Sequence, residues 1–200
     1  MSFELALDSY QHFHLSHKTS LLFVTPTLTL HLQRELRSDH AGETGAVCIY
    51  QGIMAVAKWR GDQEMLSFAK AHRATELDHL QQVEHWLPSS QRSWLLGPWR
   101  LAGWLTGALP ALFGRQAVYA TIAAVETFVD QHYQQQIDHI HAFGGPEDLL
   151  ALLIRCQADE QDHRDEALSL SRPSPSLFLQ AWCAIVAWGS TFAVILARRI

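Results

Sequence analysis

Cysteine is scarce in this 200-residue chain, and its three cysteines, Cys48, Cys156 and Cys183, lie far apart in the sequence. No two of them form a Cys-x-x-Cys pair, which argues against a zinc ribbon, a rubredoxin-type iron site or a thioredoxin motif. A sparse, odd number of cysteines is typical of a reducing compartment. The sequence also lacks a Gly-x-Gly-x-x-Gly fingerprint, so a tightly held nicotinamide is not expected.

Acidic residues are absent from two stretches, residues 88–125 and 167–200. These stretches instead hold several arginines and five of the seven tryptophans, a composition that favours a bilayer interface. With 48% hydrophobic and 18% charged residues, the chain as a whole is predicted to be globular. Its net charge of −5 argues against the basic face of a nucleic-acid-binding protein.

The N-terminal 24 residues are predicted to be a polar tail, with one domain over residues 25–200. Glu4, Asp8 and a single lysine make a poor signal or transit peptide. Three histidines, His12, His14 and His17, could bind a metal or simply be solvated.

Strand signals are scarce, whereas apolar residues recur at helical spacing, so we predict an all-α protein. Thr25-Pro26 is a helix start, with threonine as N-cap and proline in the first turn. The predicted helices run from there to about Trp59, from Asp62 to Pro88, from Gly114 to Gly144, from Pro146 to Leu170 and from Leu177 to Ala197.

Each of the first four of these helices has a glutamate within its apolar stripe. Buried glutamate is rare unless it is paired or binds a cation. Two of the four begin a Glu-x-x-His pair, Glu76 with His79 and Glu160 with His163, in which both side chains share one helix face. Glu43 precedes Glu76 by 33 residues, and Glu126 precedes Glu160 by 34. The sequence is therefore an internal repeat, and it matches the four-helix di-metal carboxylate arrangement.

Four carboxylates balance two divalent cations, and oxygen and imidazole ligands suit iron or manganese better than structural zinc. We expect Glu43 and His79 on one ion, Glu126 and His163 on the other, and Glu76 and Glu160 bridging. The alternative is a bundle with polar interior pairs and no metal.

Four further residues lie near these stripes. Asp39 and His72 could orient ligands, or could be capping or solvated side chains. His132 and Tyr133 follow Glu126 by about two turns, and one of them could line the path to the metals. Ordinary core packing is the alternative for this pair.

Two apolar segments lie outside the four helices, near residues 94–113 and 177–197. Gly103, Gly107 and Pro110 make the first a poor membrane span but a reasonable in-plane helix. The second has 21 residues and no charge, so it could span a bilayer or combine packing on the bundle with membrane contact. For both segments, covering the bundle core or forming an oligomer interface is the alternative.

The chain resembles the demethoxyubiquinone hydroxylase family, the di-iron hydroxylases of ubiquinone biosynthesis. The resemblance covers about residue 28 to the C-terminus. It rests on the stretches 37–46 (RSDHAGETGA), 49–52 (IYQG), 76–79 (ELDH), 125–126 (VE), 132–133 (HY) and 159–163 (DEQDH). It implies a ferritin-like four-helix bundle with two additional apolar, membrane-associating helices.

The resemblance also implies an activity: O2-dependent hydroxylation of a polyprenyl demethoxyubiquinone or demethoxyubiquinol ring at two iron ions, with His132 and Tyr133 helping to pass electrons. The electrons would come from the substrate or from an external donor. The protein would be a peripheral membrane protein on the cytoplasmic face of a bacterial cell membrane, with a homo-oligomer or a biosynthetic complex as open options.

Three other functions remain to be distinguished. A ferritin-like iron store would share the six ligands but would need a polar exterior. A peroxide-handling di-metal enzyme often carries rubredoxin-type cysteines, which are missing here. A membrane-tethered structural bundle would bind no metal.

Overall fold

The computed structural model describes residues 28–172 and 176–200, and within these residues it contains helices and no strand. The predicted all-α class is confirmed. The predicted polar tail, residues 1–24, lies outside the described residues. The α-helices are α1 (Leu30–Arg60), α2 (Gln63–Trp86), α3 (Leu96–Phe113), α4 (Arg115–Phe143), α5 (Glu147–Leu170) and α6 (Leu177–Ala197).

Capping residues define both ends of α1 and the start of α2. Helix α1 begins at Leu30, where Thr29 Oγ1 accepts a hydrogen bond from the Leu32 amide at 3.2 Å. The predicted start at Thr25-Pro26 lies outside the described residues, and within them the later Thr29 provides the cap. Gly61 ends the helix with a left-handed φ of 69°, and Asp62 caps α2.

Helices α1, α2, α4 and α5 form two helical hairpins, α1 with α2 and α4 with α5, each joined by a short turn. Two buried apolar clusters occupy different levels of the bundle. One includes Ile53, Met65 and Ile122, and the other includes Leu36 and Leu153. On each helix the inward glutamate lies in the sequence between the residues of the two clusters, so apolar side chains flank the four carboxylates from both ends.

Helix α3 packs closely along α1. A Cβ atom added at Gly103 would collide with the carbonyl of Gly45, and one added at Gly107 would collide with the carbonyl of Ile49. The contact positions increase together along both helices, so α3 runs parallel to α1. The glycines expected to interrupt this segment are therefore points of close backbone approach, and Pro110 lies within the helix without ending it.

Helix α6 has the predicted bounds and packs on α4 and α1. Trp182 Nε1 donates to Thr121 Oγ1 at 3.0 Å near its start. Of the helices in the described residues, it is the only one that length and composition would allow to cross a membrane.

The outer sides of α3 and α6 carry exposed apolar side chains and meet at Phe113 and Phe178, whose ring centroids are 6.1 Å apart. We call this surface the α3/α6 face. Its exposed residues include Leu101, Leu105, Leu112, Phe113, Phe178, Ile185, Trp188 and Phe192.

Candidate metal centre

The six residues predicted as ligands are all buried, and they converge between α1, α2, α4 and α5. They form two overlapping groups whose ligand atoms lie within 4.8 Å of one another. The first group is Glu43, Glu76, His79 and Glu160, and the second is Glu76, Glu126, Glu160 and His163. Glu76 and Glu160 belong to both groups, which is the arrangement expected of bridging residues. We refer to the six residues as the Glu/His cluster.

Both histidines present Nδ1 to the centre of this cluster. His79 Nδ1 lies 3.1 Å from Glu160 Oε1 and 3.8 Å from Glu43 Oε2. His163 Nδ1 lies 3.2 Å from Glu76 Oε1 and 3.5 Å from Glu160 Oε2. The Glu-x-x-His spacing produces this geometry, because residues three apart on a helix lie on one face.

Buried polar atoms of the Glu/His cluster lack hydrogen-bond partners. They are one oxygen each of Glu43, Glu76 and Glu160, and Nδ1 of His79 and of His163. Such atoms are costly in a protein interior unless something else satisfies them. Two divalent cations would coordinate these lone pairs and neutralise four carboxylates, so the residues present fit a di-metal centre.

In the metal-free protein, the buried and closely spaced carboxylates destabilise one another's charged forms. Burial, followed by the charge of neighbouring carboxylates, raises the pKa of Glu43 and of Glu126 well above the usual value. The same causes raise the pKa of Glu76 to about 7. Burial also opposes ionisation of Glu160, but the imidazoles of His163 and His79 outweigh it and lower the Glu160 pKa to about 2. A cation at the centre would relieve the repulsion.

Two tyrosines hold the non-bridging glutamates. Tyr133 donates a hydrogen bond to Glu43 Oε1 at 2.5 Å, and Tyr50 donates one to Glu126 Oε1 at 2.9 Å. Each tyrosine follows the glutamate of its own helix by seven residues and reaches the glutamate of the other helix. No role was predicted for Tyr50, although the repeated Glu-x6-Tyr spacing was a signal for one.

Asp159 supports a predicted ligand directly. Its Oδ2 lies 2.9 Å from Nε2 of His79, on the side of the ring that faces away from the cluster. This contact was not predicted, since Asp159 stood out only as part of the stretch 159–163 that resembles the family. A carboxylate against the outer nitrogen of a metal-binding imidazole is a common supporting contact.

Asp39 and His72, predicted as possible orienting residues, are buried in different surroundings. Asp39 Oδ1 lies 3.0 Å from His132 Nε2 and accepts from Gln136 at 2.8 Å, so it holds His132 rather than a predicted ligand. His72 lies beside the cluster, with its ring centroid 4.1 Å from that of His163.

His132 and Tyr133 differ in their distance from the cluster. Tyr133 touches Glu43, whereas His132 Nε2 lies near Asp39 and 3.1 Å from Ser38 Oγ. Tyr133 is thus in contact with a predicted ligand and His132 lies beyond it. The catalytic roles suggested for both remain predictions.

A family profile described as "Ubiquinone biosynthesis protein COQ7" matches residues 30–197. The chain belongs to the COQ7 family. The predicted membership of the demethoxyubiquinone hydroxylase family is confirmed.

Curated relatives of this COQ7-family chain carry hydroxylase names. It is 38% identical over 140 residues to the 3-demethoxyubiquinol 3-hydroxylase of Rhodospirillum rubrum, an alignment covering 67% of this chain and 62% of the relative. It is 32% identical over 161 residues to the human mitochondrial NADPH-dependent 3-demethoxyubiquinone 3-hydroxylase, covering 76% and 73%. The corresponding Dictyostelium discoideum enzyme is 29% identical over 177 residues, covering 84% and 77%. This similarity supports the predicted enzyme class.

Proposed function

We propose that the chain hydroxylates the ring of a polyprenyl demethoxyubiquinol, using O2 and two iron ions bound by the Glu/His cluster. The observation that carries this proposal is the pair of overlapping buried Glu/His groups in a chain of the COQ7 family. When bound, a reduced iron pair supplies the activation of O2 that ring hydroxylation requires.

The surrounding residues have defined tasks in this proposal. Tyr50 and Tyr133 fix one oxygen each of Glu126 and Glu43 and leave the other oxygen for a cation. The apolar clusters at either end of the centre exclude bulk water, which strengthens the electrostatic interactions inside. Tyr133, in contact with Glu43, and His132, one residue before it, are the proposed residues for electron passage from the ring.

We also propose that the α3/α6 face binds the bilayer in which a polyprenyl substrate dissolves. Exposed apolar surfaces of this kind mark interaction sites. Contacts from both ends of α6 to the bundle, Trp182 to Thr121 and Arg198 to Glu35, support an α6 that lies along the membrane surface rather than crossing it. The protein would then be peripheral, on the cytoplasmic face of a bacterial membrane.

Hydroxylation with O2 also requires a source of electrons. The relatives from human and Dictyostelium are NADPH-dependent by name. This chain has no Gly-x-Gly-x-x-Gly fingerprint, and we propose that its electrons come from the quinol itself or from an external donor.

Quinone profiling of cells that lack this chain tests the reaction. Accumulation of demethoxyubiquinone, reversed by the wild-type chain, is the expected result. Glu160→Ala should fail to reverse it, whereas Glu147→Gln, an exposed substitution at the start of the same helix, should succeed. Accumulation of a different intermediate would refute the assigned substrate, and full activity of Glu160→Ala would refute the assigned centre.

A further inference from the structure

The two halves of the Glu/His cluster are related by the internal repeat. Glu43 corresponds to Glu126, Glu76 to Glu160 and His79 to His163, and the supporting tyrosines correspond as well, since Tyr50 and Tyr133 each reach the opposite half. In an exact repeat the two cation positions would have equal surroundings, so any departure from the repeat makes them unequal.

The repeat fails at the residue before each Glu-x-x-His pair. Asp159 precedes Glu160, and its carboxylate lies 2.9 Å from Nε2 of His79 on the opposite helix. The corresponding residue before Glu76 is Thr75, which has no carboxylate to offer. Within residues 28–172 and 176–200, no carboxylate pairs with Nε2 of His163. Among the described residues, the outer nitrogen of His79 therefore has an acidic partner and the outer nitrogen of His163 has none.

A second departure lies one turn before each bridging glutamate. Cys156 occupies this position before Glu160, and His72 occupies it before Glu76. The His72 ring lies against the His163 ring, and its Nε2 is 3.0 Å from Glu166, whose side chain is half exposed. His163 is thus placed by ring contact, whereas His79 is placed by a hydrogen bond.

We propose that the two cation positions differ in affinity, and that Asp159 makes the position of Glu43 and His79 the tighter one, which fills first. The proposal rests on the metal centre of the proposed function. Asp159 is a positioning residue, because it acts through His79. It accepts the Nε2 hydrogen, so the lone pair of Nδ1 points to the cation, and it raises the basicity of the ring. Among the described residues, no carboxylate fixes the tautomer of His163 from its outer nitrogen in this way.

Titration of the metal-free full-length protein with Fe²⁺ under anaerobic conditions tests the proposal, with bound iron counted at each step. The wild type should bind two ions in two resolved steps. Asp159→Asn should weaken the first step by about tenfold to a hundredfold, the range for loss of a carboxylate behind a metal-binding imidazole. The lower end is expected because the Asp159 side chain is half exposed. Asp78→Asn is the matched control, since Asp78 is exposed, adjoins His79 in sequence and accepts a hydrogen bond from Gln82.

Half-site variants identify which position fills first. Glu126→Ala should keep the tight step, and Glu43→Ala should keep only the weak one. Adding Asp159→Asn should weaken binding in the Glu126→Ala protein and leave it unchanged in the Glu43→Ala protein. Circular dichroism of each metal-free variant checks that the helices form. If a half-site variant does not fold, the comparison of the wild type with the Asp159→Asn single variant still tests the proposal.

The possible outcomes separate this proposal from the function on which it rests. Two ions bound with equal affinity by the wild type, or an Asp159→Asn protein indistinguishable from it, would overturn the inequality and leave the di-metal centre standing. Failure to bind iron at all would overturn both.

Discussion

Arg198, at the end of α6, donates hydrogen bonds from Nε and Nη2 to Glu35 Oε2 at 2.9 and 2.7 Å. Glu35 is buried on α1, so this pair ties the last helix of the chain to the first. Removing one partner of a buried ion pair leaves the other charge uncompensated, and that loss exceeds the net contribution of the intact pair.

Arg198→Ala should therefore lower the free energy of unfolding by about 2 kcal/mol, since a charged acceptor is left buried while Arg198 itself is partly exposed. Urea unfolding in mild detergent measures the change. Arg199→Ala is the control, because the neighbouring Arg199 is exposed and has no side-chain contact of this kind among the described residues. Equal stability of the two variants would contradict the anchoring role of Arg198.

The contact between α1 and α3 predicts opposite effects for two glycines of the same helix. Gly107→Ala would place a Cβ against the carbonyl of Ile49, and should destabilise the protein by about 1–3 kcal/mol. Gly97→Ala meets nothing within 4 Å and should be neutral or slightly stabilising, because alanine favours helix. Thermal unfolding of both variants provides the comparison, and a stable Gly107→Ala protein would contradict the close packing.

The ligands could be predicted from sequence because they depend on local helical geometry. Glu76 and His79 share a face whatever the rest of the chain does, and the spacing from Glu43 repeats at Glu126. The packing of α3 on α1 could not be predicted in the same way. Gly103 and Gly107 indicate either a weak helix or a close approach, and only the partner helix decides between them. The contact of Asp159 with His79 likewise depends on how α2 and α5 are aligned. The sequence alone does not decide between two good N-caps, Thr25 and Thr29, and Thr29 is the cap in the described residues.

Asp62 predicts a pH dependence of stability at the start of α2. Its hydrogen bond with Arg115 lowers the pKa of the Asp62 carboxyl. A carboxyl with a lowered pKa in the folded state stabilises that state above the unfolded pKa, and this stability is lost as pH falls through the folded value. Asp62→Asn keeps a capping side chain but removes the charge. The variant should be less stable than the wild type at pH 7, and the difference should shrink below the usual pKa of aspartate. A difference in urea midpoint that stays constant from pH 7 to pH 3 would contradict this account.

The α3/α6 face predicts which exposed aromatic residues affect membrane binding. Trp188 is 71% exposed on α6 and stacks on Phe192, with ring centroids 5.9 Å apart. A tryptophan that enters the interface buries on the order of 150 Å² of surface, so Trp188→Asp should weaken binding to vesicles at least about tenfold. Ile154→Asp is the control, since Ile154 is 46% exposed on α5, which packs mainly on α4 and α2. Flotation with phosphatidylethanolamine–phosphatidylglycerol vesicles measures both, and equal losses would argue against a membrane role for the face.

The Glu126→Gln variant separates two contributions to stability: the burial of a carboxylate in the metal-free protein and the binding of metal. Without metal, burial and the nearby carboxylates raise the Glu126 pKa well above its usual value, because both disfavour its charged form. A neutral amide of the same shape can still accept the hydrogen bond from Tyr50, and the metal-free variant should be at least as stable as the metal-free wild type.

Ferrous iron at a hundred times its dissociation constant should stabilise the wild type by about 2.7 kcal/mol per site. The variant should lose most of the part due to the Glu126 and His163 position, because an amide oxygen is a weak ligand for that ion. Thermal unfolding with and without iron, under anaerobic conditions, measures both differences. A variant with full iron-dependent stabilisation would show that Glu126 is not a ligand, whatever its position in the bundle.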